Sequence, residues 1–529
     1  MKRHILYSLA LGIVLTALAG CGKFGDINRD PNNPSNNDTR YLLLRAEQGV
    51  TGAVFSESSL APSTNLYNPW AQFYPQYFGE GKNIQYTALN INNGSASNYY
   101  TIFLRNLKVI IDANNDKEQA SSAFVSKLGP NKDQIAICKT LKAYYMMTIT
   151  DIYGMMPYTE MIKGEEGNFT PKFDSVEEIY TGLDKELQEA YATMSDRKTI
   201  DPTFDIIYGG DMSKWKKLNA SLRMCLAIKL SDVAPDTGKA RFAAAYRDGA
   251  LSDNEDNMVY PYLPENSNAN PVYVNYFIDR RVDFYPTSTL VNAFLDLKDG
   301  RVLAYAKPNL DNKNNPITGA PWGYDKQEMG NFKQENPLSF LADNLTKQDY
   351  HLVLISAAKV KLMCAEAALR GWISADPETL YEEAIRLSFE EKNVAGIAES
   401  LRLQEAGDAG TVLDAVQSVN HLLLFADEYL AQPKVKLSGS TEEKIKQVAY
   451  QRWLNGFMQH GVEAWSDWRR LGVPELKVGG YAEQSGITHI PYRRVLSTDD
   501  WDQNRDNYNA MVSAQGENSI DTRIWWDVK

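Results

Sequence analysis

Ile355-Ser356-Ala357-Ala358-Lys359-Val360-Lys361-Leu362-Met363-Cys364-Ala365-Glu366-Ala367-Ala368-Leu369-Arg370-Gly371 is where the fold is decided. Small and apolar residues cover most faces of the helix this stretch would form: Ala357, Ala358, Leu362, Ala365, Ala367, Ala368 and Leu369. A helix that is apolar nearly all round has no solvent face and must lie between other helices. Gly371 follows Leu369-Arg370 as a helix stop. Alanine-rich helices let neighbouring backbones approach closely, so the pattern predicts a tetratricopeptide-like stack of helix pairs. No strict 34-residue self-similarity accompanies it. The single acid on that helix, Glu366, needs a buried cationic partner.

Outward from this centre, helical periodicity recurs at 39–53, 96–114, 131–152, 175–194, 211–231, 239–249, 287–297, 351–372, 376–391 and 441–470. Ser175 with Glu178 three residues on forms a capping box. Thr441 and Glu443 place a cap and a first-turn acid before Ile445 and Val448. The stretches 56–95, 196–210, 254–286, 300–350 and 393–440 are loop-rich. Loops of that length in a compact domain are functional or carry short strands of their own.

The chain has 529 residues, 43% hydrophobic and 23% charged, an ordinary globular composition that excludes collagen-like, coiled-coil and wholly disordered classes. Lys+Arg 55 against Asp+Glu 67 leaves a net charge of −12. That balance argues against nucleic acid, whose phosphates need a basic surface. No nucleophile elbow, zinc-protease, phosphate-loop or paired-cysteine motif occurs. His4, His351, His421, His460 and His489 are not at ligand spacing, so neither a metal nor a cofactor is expected. Asp26, Asn28 and Asp30 resemble the start of a calcium loop, but Pro31 and Asn37 stand where Gly and Glu are required. Cys138, Cys225 and Cys364 read as buried small hydrophobes. Glu463 and Asp467, i and i+4 on one helix face, are the carboxylate pair that glycoside hydrolysis would need; Arg469 and Arg470 beside them favour a structural ion network.

The N-terminus carries Lys2-Arg3, an apolar run from Ile5 to Ala19, and then Leu18-Ala19-Gly20-Cys21. A basic start, a short apolar core and small residues before a cut describe a secretory signal. A cysteine at that place looks like a bacterial lipobox, whose thiol is expected to be lipidated. The expected organisation is a signal peptide over 1–20, a polar Asn/Pro-rich tether over 21–38, and one α-helical domain over 39–529.

Several blocks carry a family resemblance. They are Phe24-Gly25-Asp26-Ile27-Asn28-Arg29-Asp30-Pro31, Tyr153-Gly154-Met155-Met156-Pro157-Tyr158, the stretch from Asp205 to Trp215, and Met363 to Gly371. Further on come Gln451-Arg452-Trp453-Leu454, Gly461 to Pro474, Ile490 to Arg494, Asn504, and the terminal Thr522-Arg523-Ile524-Trp525-Trp526-Asp527. With the lipobox, the chain resembles the SusD/RagB family of nutrient-binding outer-membrane lipoproteins, in the branch that ends in Trp-Trp-Asp. It departs from the branch at Met155 and at Asp299-Gly300-Arg301, which bears on local loop shape. The resemblance implies a mostly α fold of about four tetratricopeptide-like helix pairs with irregular loops as the binding face. It further implies a lipid-anchored, surface-exposed outer-membrane location and an oligosaccharide or other small nutrient as ligand. It also implies delivery to a TonB-dependent SusC-like transporter, without catalysis.

The ligand positions come from the loops alone. Aromatic rings stack on sugar faces, and amides and guanidinium groups satisfy hydroxyls. Trp70, Tyr74, Tyr77, Trp322 and Tyr324 are the expected platforms, with Asn68, Gln72 and Arg280 as polar partners, in a face built from 65–78, 260–285 and 318–325. The competing reading is that Trp70 and its neighbours anchor a long loop to the scaffold. The aromatics at Tyr99-Tyr100 rank second. Two other functional classes stand beside the binding lipoprotein: a lipid-anchored glycan hydrolase, and a structural protein whose helical stack grips a transporter.

Overall fold

The computed structural model describes residues 38–54, 69–82, 84, 87–89, 93–419, 422–497 and 499–529. Cys21, the signal segment, the tether through Asn37, and Asn68 lie outside the described residues. Helices take 55% and strands 6%, so the class is mostly α. The scaffold helices are α1 (Thr39–Gln48), α2 (Arg105–Asn115), α3 (Asn131–Tyr153), α4 (Val176–Thr193), α5 (Met212–Ile228), α6 (Pro235–Asp248), α7 (Lys326–Glu335), α8 (Ala357–Leu369), α9 (Pro377–Glu391), α10 (Val394–Arg402), α11 (Thr441–Asn455) and α12 (Gly461–Leu471). α3 packs on α4, α5 on α6, α8 on α9 and α11 on α12, while α8 also packs on α11. This is the stack of paired helices expected from the alanine-rich stretch, and α8 is buried from Ala357 to Ala367 apart from half-buried Lys361.

Local chemistry sets the ends. The Ser175–Glu178 capping box forms at the start of α4. At α11 the cap is Ser440 rather than Thr441, again with Glu443. The helix expected over 351–372 begins only at Ala357. His351–Ile355 is a strand (β4) paired antiparallel with Met258–Pro261 (β2), with Val259 opposite Val353 and Tyr260 opposite Leu352. A short apolar run suits either state, and tertiary pairing decides. The helix expected over 441–470 breaks between Asn455 and Gly461. Met458 there has φ +57, and a Cβ on Gly461 would sit 2.0 Å from the Ala71 carbonyl oxygen. The 393–440 stretch is not all loop, since it contains α10 and two shorter helices. Phe78–Glu80 (β1) pairs antiparallel with Phe284–Pro286 (β3), which ties the front loops together. Asp299-Gly300-Arg301 forms a buried bidentate pair, Arg301 Nε to Asp299 Oδ1 at 3.0 Å and Nη2 to Oδ2 at 2.6 Å.

Buried ions cross-link the pairs. Arg470 reaches Glu366 with both terminal nitrogens, at 2.5 and 2.8 Å, and Arg452 adds a contact at 2.9 Å. Burial alone would raise the Glu366 carboxyl, but Arg470, Arg452 and Arg370 hold it well below the usual range. Glu463 binds Lys229 at 2.5 Å and Lys359 at 2.9 Å. Against its burial, these ammonium groups keep its carboxyl well below normal. Asp467 contacts Arg452 at 3.1 Å and Arg470 at 3.3 Å. The carboxylate pair is thus built into the scaffold.

His460 caps α12 by accepting from the Glu463 amide. Burial, joined by Lys359 and Lys229 and opposed by Glu463, pushes its imidazole down to about 3. The unfolded chain takes up that proton near ~6.5, whereas the folded chain resists until about 3. The imidazole therefore contributes full stability above the unfolded value and loses it as pH falls. Glu366 and Glu463 add a loss of the same sign lower down, once carboxylates protonate in the unfolded chain. The urea midpoint is expected to fall continuously from pH 7 to pH 4. His460→Asn is expected to flatten the part of the curve above pH 5, and an unchanged curve would show that the imidazole is not the group responsible.

Candidate functional site

The segment carrying the site begins at Asn270. Its side-chain oxygen caps the turn Pro271–Tyr273, and its amide donates to the carbonyls of Leu345 and Lys347 at 2.8 and 2.9 Å. The helical turn runs on through Val274–Ile278. It lifts Phe277 and Ile278 into solvent at 53% and 49% exposure. Arg280 and Val282 both adopt positive φ, +53 and +47. For β-branched Val282 that is a strained conformation, held only if neighbours over-determine it. They do: Arg281 N donates to Asn275 O at 2.9 Å, the Arg281 guanidinium meets Asp283 at 2.7 Å, and Asn275 exchanges hydrogen bonds with Asp283.

The rings form a row. Tyr273 and Phe277 lie 5.2 Å apart, Tyr276 and Phe277 6.3 Å, Tyr276 and Phe340 6.4 Å, and Phe340 stacks on Tyr285 at 5.6 Å. The Tyr276 hydroxyl donates to Phe284 O at 2.5 Å and accepts from Leu341 N at 3.3 Å, fixing both flanks of the row. Phe340 is 42% exposed. Tyr285 closes the row against Gly81, where a Cβ would lie 2.3 Å from its ring, so only glycine fits. Beyond it, Tyr285 belongs to a small core with Ala320, Met329 and Leu338, against which Phe332 of α7 packs. Phe332 meets Tyr324 at 6.0 Å. Lys333 donates to the Gly81 carbonyl at 2.6 Å. Clustered exposed rings on pinned loops are the kind of apolar surface that a soluble chain keeps for contact.

The expected site residues divide sharply. Tyr324 and Arg280 are exposed and Trp322 is half-buried, all on loops of this lobe. Trp70, Tyr74, Tyr77 and Gln72 are not on a surface: each is at most 2% exposed. Trp70 sits 5.8 Å from Trp465 and 4.6 Å from the Arg494 guanidinium, and Tyr74 lies 5.1 Å from Trp465. Tyr77 stacks on Trp453 and donates to its carbonyl at 2.6 Å. Gln72 donates to Val54 O and Gln459 O and accepts from Met458 N. A side chain closed in by protein cannot meet a ligand, so these four, buried as they are, tie the 69–78 segment to the scaffold and present no exposed platform. Tyr99 is buried as well, and the Tyr100 hydroxyl is spent on Pro157 O at 2.8 Å. Phe277, Ile278 and Phe340 were not singled out from sequence. The available signal was Tyr276-Phe277-Ile278, three consecutive apolar residues amid Asn, Asp and Arg, which cannot all turn inward.

A family model described as SusD-like, starch-binding associating with outer membrane, matches residues 31–495. No curated protein matches the chain. A SusD homologue from Bacteroides fragilis superposes with a TM-score of 0.75 at 23% identity, covering 92% of this chain and 99% of the other. A structure described as a chitin-binding protein gives 0.71 at 22% identity, with 93% and 100% covered. A chitin-binding SusD homologue from Flavobacterium johnsoniae gives 0.66 at 21% identity, with 93% and 98% covered. At these identities the likeness is one of fold.

Proposed function

The chain belongs to the SusD-like family, and from that premise we propose that it is a surface lipoprotein, anchored through Cys21, that holds an oligosaccharide on the aromatic face around Phe277 and Phe340. It passes the ligand to a TonB-dependent SusC-like transporter. The observation that carries the reading is the row Tyr273, Phe277, Tyr276, Phe340 and Tyr285, exposed at its crest and locked at its base. Ring faces of this kind take the C–H face of a sugar. Arg280 and Tyr324 stand on the same lobe to satisfy hydroxyls.

Binding rather than hydrolysis is supported by the state of the carboxylates. Glu463 and Asp467 are tied into buried ion pairs, far in role from a proton donor and a nucleophile held free at a substrate.

The test is a binding screen of starch-type, chitin-type and other glycans on the full chain in detergent. Chito-oligosaccharides enter it because two proteins of like fold are described as chitin-binding. Phe277→Ser and Phe340→Ser are each expected to weaken binding several-fold. That corresponds to about 0.5–2 kcal/mol for one ring–ligand contact, on the scale of aromatic and cation–π pairs. Because both rings are about half exposed and a chain of this length shifts only ~1 °C per kcal/mol, melting temperatures are expected to stay within a degree or so of the parent. Undiminished affinity in both variants rejects this face as the site.

A further inference from the structure

A cleft of 250 Å³ opens beside the aromatic face, between the segments 303–308, 342–347 and 392–404. It adjoins that face through the short stretch 340–342. Phe340 O accepts from Lys307 N at 2.8 Å, Ala306 bridges to Leu341, and Ala342 N donates to Tyr305 O at 3.1 Å. Phe340 supplies the platform ring, and Ala342, two residues and about 7 Å further on, begins the cleft wall.

The lining is amphiphilic. Leu303, Ala342, Ile397 and Leu401 make an apolar floor, and Asn344, Asn393, Ser400 and Gln404 bring groups that both donate and accept. Among the described residues no aromatic ring lines it, so a guest is held by hydrogen bonds and not by stacking. The volume lies just under the ~300–1,000 Å³ of drug-sized pockets, which suits a single ring. The charges do not cancel. Lys307 pairs with Asp343 at 2.8 Å, and buried Lys392 pairs with Glu391. Lys347 is exposed, and its ammonium has no partner among the described residues. In a chain of net charge −12, the cleft thus carries one unmatched positive charge.

We propose that this cleft is a second sugar subsite, continuous with the aromatic face, and that it takes a single acidic ring, a uronate unit of the bound glycan. The inference rests on the glycan-binding reading above. The carboxylate of such a ring meets Lys347, and its hydroxyls exchange hydrogen bonds with the amides and with Asp343.

Saturation-transfer NMR and calorimetry on the full chain in detergent test it, with D-galacturonate, its methyl ester and D-galactose as probes. The three share a ring and differ at C6, and only galacturonate carries a charge. Galacturonate is expected to bind up to about fivefold more tightly than the ester or galactose at low salt, the reach of a partly exposed ion pair. The gap closes as salt rises. Lys347→Glu reverses the preference, and Lys347→Arg keeps it. Lys347 is at the surface, so neither change threatens the fold. Equal affinity for the three probes, a preference that survives Lys347→Glu, or no binding of galacturonate overturns the inference. Any of these leaves the aromatic-face reading standing so long as a glycan from the screen still loses affinity in Phe340→Ser. If that loss is absent as well, the reading falls too.

Discussion

Glu366→Ala is expected to lower the stability of the folded chain by about 3–5 kcal/mol, because it strands buried cations that have no other full complement. Glu366 is entirely buried, and Arg470, Arg452 and Arg370 converge on it. The loss is to be read from a urea or guanidinium midpoint. The thermal shift for a chain of this length is only ~1 °C per kcal/mol. Arg470→Ala is expected to be similarly costly, and the double variant to cost clearly less than the sum, since each single change spoils the same pair. Strict additivity would show that the two groups do not interact.

Trp465→Ala is the second large effect, also about 3–5 kcal/mol, the usual range for emptying a core tryptophan site. The ring is fully buried and its indole N–H donates to Pro491 O at 2.9 Å. Trp70 and Tyr74 press on it from one side. The Arg469 guanidinium lies 3.6 Å over its face and 4.7 Å over Trp526. Removing the ring opens a cavity and takes a cation–π partner from a buried arginine whose ionisation burial already pushes down to about 10. The loss is expected with and without ligand. An unchanged midpoint together with lost ligand binding would make Trp465 a site residue.

The scaffold was readable because its signals are local. Alanine-rich α8, the Ser175–Glu178 box and the Gly371 stop each follow from a few neighbouring residues, and the lone Glu366 announced a buried cation. What failed depended on distant cover. Nothing near Trp70, Tyr74 and Tyr77 in sequence says that Trp465, Trp453 and Arg494 close over them, so rings in a Pro/Asn-rich segment looked like a surface. The strand at His351–Ile355 likewise exists because Met258–Pro261 pairs with it. The loops 260–285 and 318–325, expected as parts of a binding face, meet in one lobe through Tyr285, Ala320 and Tyr324. Its exposed crest was not legible, because exposure of Phe277 and Phe340 is set by the pinned turn at 279–283 and by the bridge of Leu341 to Ala306. The lipobox at Cys21 and the polar Asn68 fall outside the described residues, and anchoring through Cys21 stands as a proposal.

The account is tested most directly by a crystal structure of the protein with a glycan retained from the binding screen. The sugar is expected to lie with a ring face against Phe277 or Phe340, within van der Waals distance, and with hydroxyls reaching the loop that carries Arg280. A sugar bound elsewhere, with Phe277 and Phe340 both out of contact, would contradict the assignment of this face.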